Sequence, residues 1–187
     1  LSVLLSQTQL LHSSVEIGSI SEVRGNAQVL RDKAYGAELK FDIQQMDDVR
    51  TETGRVAITF LDSSTVKLTE HSKLVIDEYI YDPDPSKSKM ALKFASGTAR
   101  FITGKFNNKN NISIRTPTAN IAIRGTDFTC TVDELGRSLV ILLPDENGIS
   151  SGEIIVSTGM GSVTLNKPYQ ATTVSVFENN PTAPVEL

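Results

Sequence analysis

The feature that most limits what this chain can fold into is its period of two. Arg55–Phe60 (RVAITF) sets Val56, Ile58 and Phe60 on one side and Ala57 and Thr59 on the other. Thr65–Glu70 (TVKLTE) alternates Val66 and Leu68 with Lys67 and Thr69, and Lys73–Tyr81 places Leu74, Ile76 and Glu78 against Val75, Asp77 and Tyr79. Asn111–Thr116, Asn120–Gly125 and Asp127–Val132 repeat the pattern. Such alternation marks strands with one face in a core and one facing out. Ser138–Pro144 (SLVILLP) is apolar at nearly every step and predicts a strand covered on both faces.

Turn chemistry falls between these runs. Asp62-Ser63-Ser64, Asp133–Gly136 (DELG) and Gly159-Met160-Gly161 have the length and composition of tight hairpins. Asp82–Lys89 and Gly104–Asn111 read as longer polar loops. No segment beyond residue 16 suits a helix of more than about two turns. The spacing predicts an all-β domain, an antiparallel sandwich, jelly roll or β-roll of about ten to twelve short strands, with short N- and C-terminal arms. The divisions are an arm at 1–16, a β-domain at 17–174 and an extended, proline-broken tail at 175–187. In the arm, LSVLLSQTQLL aligns Leu4, Leu5 and Leu11 as a candidate partner contact, with a leader remnant as the other reading. No apolar run approaches the ~20 residues of a membrane-spanning helix.

Composition narrows the chemistry. The net charge is −4, which draws neither nucleic acid nor anionic lipid. A lone cysteine, Cys130, excludes an internal disulfide and a cysteine-rich zinc site, and its alternation with Phe128 and Val132 predicts a core position. Of the two histidines, His12 and His71, the latter sits in a polar turn. Asp82, Asp84 and the Asn107–Asn111 run are oxygen-rich but broken by proline or limited to neutral amides, so solvated loops are expected rather than a cation site. No HExxH, CxxC, Walker or GxSxG pattern occurs. The expectation is a protein that is not an enzyme, with no cofactor, no metal and no catalytic residue. The local feature that stands out is Arg124-Gly125-Thr126, a charge placed between two strands directly before a glycine, with Arg115 nine residues earlier. Arg124 would bridge Asp127 or an adjacent turn, or bind a partner through its planar fork.

These residues resemble a known family. Gly54–Ile76, GRVAITFLDSSTVKLTEHSKLVI, is similar to the central signature of FecR-like domains, and Thr116–Phe128, TPTANIAIRGTDF, resembles their most recognisable block, T-P-x-A-x-x-A-x-R-G-T-x-F. The signature positions are Thr116, Pro117, Ala119, Arg124, Gly125, Thr126 and Phe128. The resemblance covers about residues 17–174, and Ser63 departs from it where glycine is usual, implying a different turn type. It implies an all-β domain without known catalysis. The stretches TVDELGRSLVILLP and NNPTAPVEL look more like FecR-domain proteins of tailed phages of marine cyanobacteria, which are virion structural components. The implied role is a structural, interacting component of a tailed-phage virion, on tail or capsid, whose partners are other virion proteins or copies of itself in a homo-oligomer. The alternative is a secreted or periplasmic FecR-like sensor or scaffold domain.

Overall fold

The computed structural model describes residues 15–104, 111–177 and 179–187. Leu4, Leu5 and Leu11 lie outside the described residues. Eight strands, β1 (Glu16–Arg24), β2 (Ala27–Leu30), β3 (Ala34–Gly36), β4 (Asp42–Gln44), β5 (Asp48–Thr51), β6 (Arg55–Phe60), β7 (Thr65–Leu68) and β8 (Lys73–Ile80), precede the long β9 (Lys89–Ile102). After it come β10 (Ile112–Arg115), β11 (Asn120–Arg124), β12 (Asp127–Val132), β13 (Ser138–Leu142), β14 (Glu153–Ser157), β15 (Ser162–Leu165), β16 (Gln170–Val174) and β17 (Val185–Glu186). The protein is all-β, and among the described residues a 3₁₀ turn at Pro85–Lys87 is the one helical piece. The described residues form seventeen strands rather than about a dozen because short edge pieces such as β3, β4 and β17 carry too few residues to show a period.

The strands form two layers. The front layer runs β4-β1-β6-β7-β9-β12-β13-β16-β17. The back layer runs β3-β2-β5-β8-β9-β10-β11-β14-β15. Strand β9 belongs to both: Lys89–Ser96 pairs with β8, and Gly97–Ile102 pairs with β12. Only a glycine fits the crossing. Gly97 has φ +93, and a Cβ there would lie 2.3 Å from Ser72 Oγ and 2.5 Å from Ser72 Cα. The β9–β10 pair is parallel, and the other strand pairs named here are antiparallel.

One core fills the space between the layers. Phe94 from the back half of β9 meets Phe101 from its front half edge-on at 6.0 Å, and Phe101 stacks on Phe128 at 5.0 Å. The expected inward residues Val56, Ile58, Phe60, Val66, Leu68, Leu74 and Ile76 are all buried. Strand β8 departs from simple alternation. A bulge between Ile76 and Glu78 resets its parity, so Tyr79 rather than Glu78 turns inward. Strand β13 also differs from expectation: Val140 and Leu142 are fully buried, but Leu139 and Ile141 are half-buried on the outer face of the front layer.

Two carboxylates are buried with their partners. Asp47, fully buried, accepts from Arg31 Nε at 2.7 Å, Arg31 Nη2 at 2.8 Å and the Gln44 amide at 2.8 Å. Asp62, also fully buried, accepts from the Tyr79 hydroxyl at 3.1 Å and from the Ser64 amide and hydroxyl, while its own amide donates to Tyr79 Oη at 3.0 Å. Burial next to this carboxylate pushes the Tyr79 phenol well above its usual range. Ser63 takes φ +68, the left-handed conformation that a glycine adopts without strain. The C-terminal tail lies on its own domain: β17 pairs with β16, and the Thr182 carbonyl accepts from Thr172 Oγ1 at 2.7 Å.

Candidate functional site

The block Thr116–Phe128 is the turn between β10 and β11, strand β11, the corner after it and the first residues of β12. Thr116 shapes its turn: its hydroxyl accepts from the Ala119 amide at 2.9 Å and its amide donates to the Ala119 carbonyl at 2.9 Å. Ser138, fully buried, sits between Thr116 Oγ1 and Thr118 Oγ1 at 2.7 Å from each, and Thr118 Oγ1 donates to the Gly136 carbonyl at 2.9 Å. This hydroxyl chain fastens the β10–β11 turn to the β12–β13 turn, and Pro117 covers Gly136. Ala119 is fully buried, and Phe128 forms part of the central aromatic stack.

Arg124, Gly125 and Thr126 make the corner. Arg124 is exposed, and its guanidinium donates to Glu153, its register partner on β14, at 2.9 Å. It does not bridge Asp127, as its sequence position suggested. That carboxylate is held by Arg100 through Nε at 2.9 Å and Nη2 at 2.5 Å. Gly125 has φ +57 and open space where a side chain would begin. Gly152 presses on the corner from β14's approach: a Cβ there would sit 2.1 Å from the Gly125 carbonyl oxygen. Thr126 is buried, its amide donating to Thr103 Oγ1 at 3.3 Å, and its own hydroxyl has no hydrogen-bond partner among the described residues. A recess of about 490 Å³ opens beside the corner, lined by Arg100, Thr103, Thr126, Asp127, Asp145 and Ser151 among others.

Two of the acidic groups at this recess, Asp127 and Asp145, are already engaged. Asp127 holds Arg100, and Asp145 accepts from the Asn147 and Ile149 amides at 2.8 and 3.0 Å. Among the described residues no three His, Cys, Asp or Glu side chains gather as a metal site. Cys130 is fully buried between the layers, and burial pushes its thiol up to about 12. His71 lies in an exposed left-handed turn at φ +55. Asp82 and Asp84 spend their oxygens on the turn itself, Asp84 accepting from the Ser86 amide at 3.0 Å and hydroxyl at 2.7 Å. The amide of Asn111, first residue of an Asn-Ile-Ser triplet, donates to the Ser88 carbonyl at 2.5 Å.

Sequence reasoning missed the pairs Arg31–Asp47 and Arg100–Asp127. Neither has a local signal, because register across strands brings each together.

Against known proteins, the FecR protein family matches residues 47–145. This chain belongs to that family. The match takes in both stretches that resembled it and the whole Arg124–Thr126 corner. Two crystal structures of a protein from Parabacteroides distasonis ATCC 8503, assigned as an anti-sigma factor, superpose with a TM-score of 0.52 at 14% identity. The superposition covers 72% of this chain and 57% of that one, so the FecR chain here spans little more than half the neighbour's length. At that identity the likeness is one of fold. No curated protein matches the chain by sequence. Among the described residues no helix is long and apolar enough to cross a membrane.

Proposed function

We propose that this FecR domain is a non-enzymatic interaction module, a sensor or scaffold of the secreted or periplasmic kind, working through protein–protein contacts. The observation that carries the reading is how the signature is spent. Thr116, Ala119, Thr126 and Phe128 are buried and brace the turn, the corner and the core, and Pro117, Arg124 and Gly125 are what the signature shows to solvent. A rigid scaffold presenting one exposed arginine at a fixed corner suits recognition of a carboxylate or carbonyl on a partner. The neighbouring fold assigned as an anti-sigma factor is in keeping with such a role.

The test is a full-length chain carrying a photo-crosslinker at Gly125, expressed in its native host. A protein adduct should form, and Arg124→Ala should remove it while the chain stays folded, since the half-exposed pair with Glu153 contributes no more than about 1 kcal/mol. An Arg124→Ala chain that keeps the adduct, or that simply unfolds, would make the arginine structural only. The virion reading rests on the resemblance of residues 131–144 and 179–187. Mass spectrometry of purified particles decides it, and particles without the chain end it.

A further inference from the structure

The register of the back layer brings four cations together on its outer face. In one cross-strand row Lys93 faces Arg115, followed by Asn120 and Ser157. The next outward row is Ala91, Ser113, Ala122, Ile155 and Thr164. Beyond it lie Lys89, at the start of β9, and Arg124 with Glu153. Ala91, Ser113 and Ala122 are small, and Lys89, Lys93, Arg115 and Arg124 around them are long, so over β9, β10 and β11 the face is a shallow trough with cationic walls. Lys89 and Lys93, four residues apart on one strand, place those walls about 13 Å apart.

Two observations make this more than a solvated face. Lys93 and Arg115 are direct neighbours on parallel strands, and like charges in that relation destabilise a sheet. Lys93 reaches Asp77 at 2.7 Å, Lys89 reaches Glu78 at 2.6 Å and Arg124 reaches Glu153 at 2.9 Å. Arg115 makes no ion pair among the described residues; its Nε donates to Asn120 Oδ1 at a long 3.4 Å. In addition, with Asp77 and Glu78 of β8 counted beside Glu153, the face holds these four cations and three anions, so Arg115 is its charge in excess on a chain whose net charge is −4.

We infer that this trough binds an acidic, extended segment of a partner protein, with Arg115 as the cation left open for its carboxylate. The inference rests on the proposed interaction role and gives the partner its chemistry. The floor residues have no aromatic ring on which a base could stack, which favours a polypeptide over nucleic acid.

A fluorescein-labelled octapeptide of alternating Glu and Ser, titrated with the full chain and followed by anisotropy at low salt, tests it. Wild type should bind and lose the peptide as salt rises toward physiological strength. Arg115→Glu should weaken binding about tenfold, because it reverses one charge at contact distance. Arg50→Glu, in the same layer but beyond the trough, should leave binding within about twofold. Arg115→Glu should melt at or above wild type, because it sets an opposite charge beside Lys93 in place of a like one. Absence of peptide binding, equal binding by Arg115→Glu, or equal binding of a single-stranded DNA of matched charge would each overturn the inference. Peptide failure with the Gly125 adduct retained would sink the trough alone and leave the interaction role standing.

Discussion

Removing Arg31 strands a carboxylate that water does not reach. Asp47 is fully buried, and two of its three hydrogen bonds come from the Arg31 guanidinium. In Arg31→Ala the Gln44 amide alone remains. Hydrogen bonds to a charged group contribute about 1.5–3 kcal/mol each, and breaking a buried ion pair by deleting one partner costs about 3–5 kcal/mol. The lower half of that range is expected, because the Arg31 side chain keeps 25% of its exposure and water can follow it in. For a chain of this size about 3–4 kcal/mol lowers Tm by roughly 6–16 °C. The assay is thermal and urea unfolding by circular dichroism, with the urea slope unchanged. Arg31 also lies over the rings of Phe41 and Tyr35, at 5.6 and 5.8 Å, so some loss is packing. The double variant Arg31→Ala/Asp47→Asn separates the two. If the orphaned charge dominates, neutralising it should restore a large part of the loss. A single-variant cost below about 1 kcal/mol, or no recovery in the double variant, would refute the reasoning.

Further outcomes follow from the same geometry. Gly97→Ala should cost about 3 kcal/mol or more, read by urea titration, since it meets both a positive φ and the backbone of Ser72. Ser63→Gly should raise stability by up to about 1 kcal/mol in the same titration, relieving a left-handed residue in a turn built for glycine. Thr126→Val should be neutral or stabilising by about 1 kcal/mol, because it replaces a buried hydroxyl that has no partner among the described residues. Cys130 should resist alkylation in the folded protein at pH 8 and react fully in denaturant. Its folded thiol stays protonated up to about 12 while the unfolded thiol ionises near 9, so it adds stability below pH 9 that is lost as pH rises from about 9 to about 12. Above pH 9 wild type should therefore lose stability faster than Cys130→Ala.

Much of this architecture was legible because burial and alternation are the same fact seen twice. Val56, Ile58 and Phe60 could be placed inward from sequence, and so could the hairpins at Asp62–Ser64, Asp133–Gly136 and Gly159–Gly161, each announced by its turn residues. What stayed hidden depends on register. The bulge in β8 inverts which of Glu78 and Tyr79 faces the core, and nothing in KLVIDEYIY marks where the extra residue sits. Sequence offers Arg124 the nearby Asp127, an adjacent turn or a partner, but the strands place Glu153 opposite it from 29 positions away. Nothing in the sequence around Asp47 marks it as buried. Only the fold supplies the arginine that lets it be buried.

Strand β9 has one more implication. Lying mid-chain, it is the seam to which β7 and β8 attach on one side and β10 and β12 on the other. A nascent chain that ends before Lys89 has two edges waiting for a strand still inside the ribosome. Neither half of the molecule is thus a self-sufficient folding unit, and a cut anywhere in that seam should disassemble both layers together.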